Sequence, residues 1–283
     1  MANTRILRRR IKSVKNTAQI TRAMEMVAAT KMRRAQNQAT SGRPYVENLS
    51  EALMRLLPRI DMESHPLLTG NDSGGTSGTK TTGVILLSTD KGLVGALNTN
   101  LVRTLSQQTG EVIYYTVGRK GRSFVARTGK ALKADFENLD TITFRQAKQL
   151  SRLLMDAFKT GEIGEAYLVY PHFISTLRQE PKRVKLLPIS IEIPEVLSQE
   201  FLFEPNADTL LDYLLVHHIE EQIYQALLET KACEHSARMV AMKNATDNAL
   251  ELVTDLNLTY NQIRQSAITT EILEIATAQL ALE

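Results

Sequence analysis

The sequence predicts an α/β domain joined to a long antiparallel coiled coil formed by its N- and C-terminal helices. Three observations carry this. From Asn206 to Glu283 there is neither Gly nor Pro over 78 residues, far beyond the 11–12 residues or so of an average helix. Before Gly42 the N-terminal run is equally free of both residue types. Between these two runs, short apolar stretches alternate with helical patterns, as in a layered domain with a mainly parallel sheet. The expected divisions are an N-terminal coiled-coil helix over 1–58, an α/β middle domain over 59–205 and a C-terminal coiled-coil helix over 206–283.

In the first helix, Leu7, Ile11, Val14, Ala18 and Thr21 step by fours and threes. Thr17, Ile20, Met24, Val27 and Lys31 then continue in a shifted register, a change of phase that lets a helix drift against a strict heptad. Pro44 lacks a backbone N–H, so it is expected to bend this helix or end its first half. Leu49, Leu53, Leu56 and Leu57 resume a helical face as far as Pro58.

Residues 69–83, rich in Gly, Ser and Thr, read as a polar loop. Strands are expected at 84–87, 112–117, 166–170 and 184–193. Helices are expected to begin near Asn98 or Asn100, after Gly118, and over 144–158. Pro205, Asn206 and Asp208 suit a helix start, with Asp208 near the positive end of the dipole. On that last helix Met242, Ala245, Ala249, Leu252, Leu256, Thr259 and Ile263 form a three-four seam.

Composition narrows the classes of function. The 283 residues carry 34 Lys+Arg against 31 Asp+Glu, with 43% apolar residues. No run of about 18 apolar residues is present to cross a bilayer. The immediate N-terminal charge of Arg5, Arg8, Arg9 and Arg10 does not read as a secretory signal. Cys233, the single cysteine, makes neither an internal disulfide nor a thiolate zinc site, and suits a reducing compartment. Charge is segregated. Residues 1–43 hold eleven Lys and Arg against Glu25 alone, and residues 206–283 hold four against twelve Asp and Glu. A basic arm of this kind binds nucleic acid, a membrane surface or an acidic protein partner, or complements an acidic helix of its own chain.

Candidate chemistry is sparse. Residues 88–98 follow the first strand, where α/β proteins often cradle phosphate, but match neither G-x-G-x-x-G nor a Walker A pattern, so a structural turn is the default. His65, His172, His217, His218 and His235 lack metal-ligand spacing and read as solvated or partner-facing. Glu220–Glu221 and Glu271/Glu274 read as surface charge. No nucleophile motif occurs, and neither a catalytic residue, a metal nor a cofactor is expected.

Three segments in order resemble one family. RRIKSVKNTAQITRAMEMVAATKM over 9–32, ARMVAMKNATDNA over 237–249 and ITTEILEI over 268–275 are similar to the gamma subunit of F-type ATP synthase. The loop opening DKGL at 90–93 fits the middle domain of that family. The chain departs from the pattern with Val94-Gly95-Ala96 in place of Cys-Gly-Gly, and with Ala278-Gln279 in place of Gly-Ala.

The resemblance implies a central stalk whose terminal helices pair inside a ring of alpha and beta subunits. Torque would pass between a membrane c ring and the catalytic beta subunits, without chemistry by this chain. It implies beta-subunit contacts at Arg22, Met24, Lys31, Arg264, Gln265 and Thr269, with the first three facing an acidic lever. An apolar bearing is implied at Ile272, Leu273, Ile275, Leu280 and Leu282. A foot for the c ring and epsilon is implied at Phe201, Glu204 and Pro205. Partners would be alpha, beta, delta, epsilon and the c ring, with no nucleic acid and no transmembrane segment. The location would be peripheral, on the cytoplasmic face of a bacterial inner membrane. Two rivals stand beside this reading: a nucleic-acid-binding coiled coil using the basic helix, and a nucleotide-dependent enzyme using residues 88–98.

Overall fold

The computed structural model describes residues 2–59, 65–69, 81–106, 110–190 and 206–280. Its elements are α1 (Ala2–Leu56), a 3-10 turn (Leu57–Arg59), α2 (Pro66–Thr69), β1 (Thr82–Leu87), α3 (Leu97–Ser106), β2 (Val112–Val117), α4 (Arg119–Arg127), β3 (Ala131–Phe136), α5 (Phe144–Lys159), β4 (Glu165–Phe173), β5 (Gln179–Leu187) and α6 (Ala207–Leu280). They form two compact units, one of Met1–Ala29 with Arg238–Glu283 and one of Thr30–Ala237.

The larger unit is built on a five-stranded sheet in the order β3-β2-β1-β4-β5. β1 pairs in parallel with β2 and β4, β2 pairs in parallel with β3, and β5 returns antiparallel to β4. Central β1 is buried on both faces, and its side chains alternate between two clusters as the two-residue period requires. Val84 and Leu86 meet Leu101 and Leu105 of α3 and Val125 of α4. Ile85 and Leu87 join Leu150, Leu154 and Phe158 of α5 with Leu215, Ile219 and Ile223 of α6.

Sequence patterning finds the central strands and misses β3. That strand (ALKADF) lies at the sheet edge with four of six side chains exposed, so no apolar alternation marks it. β5 starts at Gln179, earlier than the expected 184, and tolerates Pro181 as an edge strand does. Thr82 and Gly83, expected in the loop, belong to β1, while residues 70–80 and 191–193 lie outside the described residues.

Pro44 does not end the first helix, because α1 runs through it. The proline is exposed, so the carbonyl that loses its intrahelical donor is free to meet water. Nor does the register shift. The inward stripe keeps one heptad along the whole helix, through Thr4, Leu7, Ile11, Val14, Ala18, Thr21, Glu25, Ala28, Met32, Ala35 and Ala39 to Leu49, Leu53 and Leu56, each buried or half-buried. Ile20 and Val27, expected in the seam, are 61% and 58% exposed, and Thr17 and Lys31 are exposed as well.

In the smaller unit α1 and α6 pair antiparallel. Thr21 and Thr246 share a hydroxyl–hydroxyl hydrogen bond of 2.7 Å, and Ile11 packs with Val253 and Leu256. The α6 seam corrects the expected one by a residue at alternate positions. Met242, Ala249, Leu256 and Ile263 do face inward, but between them lie Thr246, Val253 and Tyr260. Ala245 is half-buried, while Leu252 and Thr259 are exposed. Residues one apart on a helix sit about 100° around it, so the partner surface decides which of two neighbours faces in. The larger unit repeats the antiparallel pairing. Gln225 of α6 donates to the Ala39 carbonyl of α1, and the Tyr45 hydroxyl lies 2.6 Å from His217 Nε2. Asn206 opens α6 as expected, its side-chain oxygen accepting from the Thr209 amide at 2.9 Å.

Candidate functional site

The turn after β1 is the natural place to look for phosphate, and its polar groups serve the fold. The Ser88 hydroxyl donates toward the Val117 and Gly118 carbonyls and accepts from the Gly121 amide at 2.8 Å. An Asp90 carboxylate oxygen accepts from the Arg119 amide at the start of α4. Thr89 and Asn98 bond to each other across the turn. Gly118 is required there, with φ of +96° and an added Cβ falling 2.4 Å from the Ser88 carbonyl oxygen. The reading of residues 88–98 as a structural turn accounts for all of these contacts.

The histidines and the Glu220–Glu221 pair of α6 depart from the expected solvated or surface groups, whereas Glu271 and Glu274 are exposed as expected. Residues 218–237 of α6 are buried almost all round, so charge placed there must find partners inside the fold. His218 is buried, and desolvation, with His217 adding to it, pushes its pKa down to about 4. His217 sits against the rings of Tyr45, Phe144 and Tyr213. Glu220 and Glu221 are buried rather than surface charges, and burial raises the Glu221 carboxyl. His172 pairs with Glu229 at 2.8 Å, His65 lies 2.8 Å from Asp212, and His235 is buried. Cys233 is buried too, its thiol facing the Pro171 carbonyl.

The surface offers two features of a different kind. Along α1, Arg5, Arg8, Arg9, Arg10, Lys12, Lys15 and Arg22 are all exposed. Among the described residues no ion pair joins them to a carboxylate of α6, so the basic helix is not neutralised by the acidic one. Beside these cations Ile6, Ile20, Met26 and Val27 expose apolar surface on the same helix.

The second feature is the end of α6. Ile11 clusters with Val253 and Leu256, with Leu7, Val14 and Tyr260 packed against them, and the inward-facing stripe of α6 ends at Ile263. Every side chain from 264 to 277 is exposed. This segment carries Arg264, Gln265 and Thr269, whose hydroxyl donates to the Gln265 carbonyl, as well as Ile272, Leu273 and Ile275 at 61%, 60% and 63% exposure. Ile268, at 47% exposure, belongs with them although its motif position alone did not single it out.

Of the other predicted contacts, Arg22 is exposed and Met24 half-buried in the smaller unit. Lys31 lies in the larger unit and pairs with Asp140 at 3.3 Å. That hydrogen bond and charge hold the Asp140 carboxyl below its usual range. Phe201, Glu204, Pro205 and Leu282, with the side chain of Leu280, lie outside the described residues.

Comparison with known proteins matches these features over nearly the full chain. A family model described as ATP synthase covers residues 3–282. The ATP synthase gamma chain of Opitutus terrae is 42% identical over 99% of both chains. That of Methylacidiphilum infernorum is 44% identical over 100% of both. Among solved structures, a chain of the Euglena gracilis mitochondrial ATP synthase (OSCP/F1/c-ring, rotational state 3) superposes with a TM-score of 0.70 at 20% identity, over 99% of this chain and 95% of that one. A chain of the Tetrahymena thermophila mitochondrial ATP synthase central stalk and c ring gives 0.59 at 24% identity, over 80% and 99%. Family match, relatives and fold agree, and the chain belongs to the ATP synthase family as one of its gamma chains.

Proposed function

We propose that this chain is the rotor shaft of an F-type ATP synthase, carrying torque between a membrane c ring and the catalytic beta subunits while performing no chemistry itself. The single observation that carries the reading is the unaccompanied end of α6. Over 264–277 one helix stands with all faces exposed and apolar Ile268, Ile272, Leu273 and Ile275 among them. Isolated helices of this length are marginal in water, and exposed apolar patches mark interaction sites. A surrounding partner supplies the missing apolar surroundings.

In this reading Ile272, Leu273, Ile275, Leu280 and Leu282 turn in an apolar collar of alpha and beta subunits. Arg264, Gln265 and Thr269 bond to a beta loop just below. Arg22, Met24 and Lys31 face an acidic beta segment, for which the uncompensated cations of α1 supply the field. Phe201, Glu204 and Pro205 form the foot toward the c ring and epsilon, and delta completes the catalytic sector. Two antiparallel helices of different sequence present different faces to three identical beta subunits. An affinity difference of about 10⁴ between catalytic states needs about 5.5 kcal/mol of differential contact, and a symmetric shaft would contribute none. In this reading the protein is a peripheral subunit of a membrane enzyme, at the cytoplasmic face of a bacterial inner membrane; that both relatives named above are bacterial gamma chains supports this.

The test is removal of residues 268–283 from the chain before reconstitution with its partner subunits. Coupled ATP hydrolysis and assembly yield should fall severalfold, while the circular dichroism of the isolated chain keeps the melting transition of the sheet-containing unit. Undiminished coupling would refute the bearing.

A further inference from the structure

The larger unit contains a cavity of about 330 Å³ whose walls are unusually cationic. Lys31 and Arg34 of α1 line one side, Lys231 and His235 of α6 another, and Asp140 and Thr141 of the segment between β3 and α5 a third. Asp140 is the one carboxylate on the wall. We propose that this cavity is a binding site for a small anion of the diphosphate class, separate from the partner contacts assigned above apart from their shared Lys31.

The charges do not cancel locally. Lys31 is matched by Asp140, and Lys231 by Glu234 at 3.3 Å from behind the wall. Arg34 has no carboxylate within 4 Å among the described residues, so one guanidinium faces the cavity without a counter-ion. Guanidinium recognises phosphate oxygens through parallel N–H donors, which a single lysine cannot do.

Lys231 adds an independent sign. Its ammonium is almost fully buried, with 7% of the side chain exposed, and is held by the Asn138 carbonyl at 3.2 Å and by Glu234. An ammonium has three donors, and these two acceptors leave a third for the cavity it lines. Burying a charged amine is costly unless it is paired and hydrogen-bonded, as it is here by Glu234 and the Asn138 carbonyl, which keeps the ammonium charged beside the cavity. Gln38 of α1 and Thr141 of the β3–α5 segment add neutral donors to the lining, and Ile142 and Leu228 add apolar surface. The volume lies at the small end of ligand pockets, larger than one phosphate group needs and suited to two linked ones.

Isothermal titration of the full chain with pyrophosphate at low ionic strength tests the site. One equivalent should bind, and Arg34→Ala and Lys231→Met should each weaken it at least tenfold. Lys182→Ala, on exposed β5 away from the cavity, should leave it unchanged. Because Arg34 is exposed, its variant keeps the fold and stays informative even if Lys231→Met does not. ADP is titrated separately. Binding with the same Arg34 dependence identifies a nucleotide diphosphate as an occupant, and pyrophosphate binding alone identifies the inorganic anion. Absence of saturable binding overturns the proposal. So does affinity indifferent to both substitutions, or equal binding of citrate, which would make the cavity a general carboxylate sink.

Discussion

At the residue scale the buried charges of α6 set the response to pH. His218 is 7% exposed, its Nε2 lies 2.7 Å from the Gln222 amide and its Nδ1 has no partner among the described residues. Protonation in the fold is therefore unfavourable, and the pKa of about 4 lies below the 6.5 of a free imidazole. The unfolded chain takes up its proton first as pH falls, so the contribution is complete above pH 6.5 and is lost toward pH 4. Two and a half pK units correspond to about 3 kcal/mol. His218→Gln should reduce the stability lost between pH 7.5 and pH 4.5 by about 2 kcal/mol, measured by urea unfolding at the two pH values. An identical pH dependence in both proteins would mean that His218 is not the titrating group.

At the element scale the question is which stripe of α1 faces its neighbour. Ala28 is 2% exposed and Val27 58% exposed, one position apart. Ala28→Leu overfills a close helix contact and should cost about 1–3 kcal/mol. Val27→Ala removes solvent-facing surface and should change the stability of the isolated chain by less than about 0.5 kcal/mol. Chemical denaturation of the two variants distinguishes the registers, since a shifted seam predicts the opposite order. Small residues at Ala18, Ala28, Ala35 and Ala39 let α1 come close to its neighbour while burying little apolar area each, so the stripe holds by continuity. Ile20, Met26 and Val27 point outward from this stripe and expose apolar surface.

For the whole molecule, the end of α6 separates folding from function. Arg264 and Gln265 are exposed and outside every hydrophobic cluster, so replacing both with alanine should shift the melting temperature of the free chain by no more than a degree or two. Turnover of the assembled complex should nevertheless drop severalfold, because hydrogen bonds to charged groups at an interface contribute about 1.5–3 kcal/mol. Parallel melting and steady-state ATPase assays settle the assignment. A loss of stability matching the loss of rate would make the pair structural. Ile272, Leu273 and Ile275 are exposed on the same stretch, and in the proposed bearing they would be covered by the surrounding partner.

The sequence alone determined the helical ends, the α/β alternation and the family, because each is written in local periodicity or in contiguous motifs. Absence of Gly and Pro over 206–283 dictates a long helix wherever it lies, and Val84 to Leu87 read as a buried strand in any neighbourhood. Tertiary structure alone decided which neighbours on a helix turn inward, as with Thr246 over Ala245 and Val253 over Leu252. It alone buried Glu220, Glu221 and His218, whose polarity suggests water but whose helix is enclosed by α1, α5 and the sheet. Edge strand β3 and the cationic cavity became visible only in three dimensions. The physical reason is common to all of them: periodicity records which residues share a face, whereas burial and field depend on what distant parts of the chain place against that face.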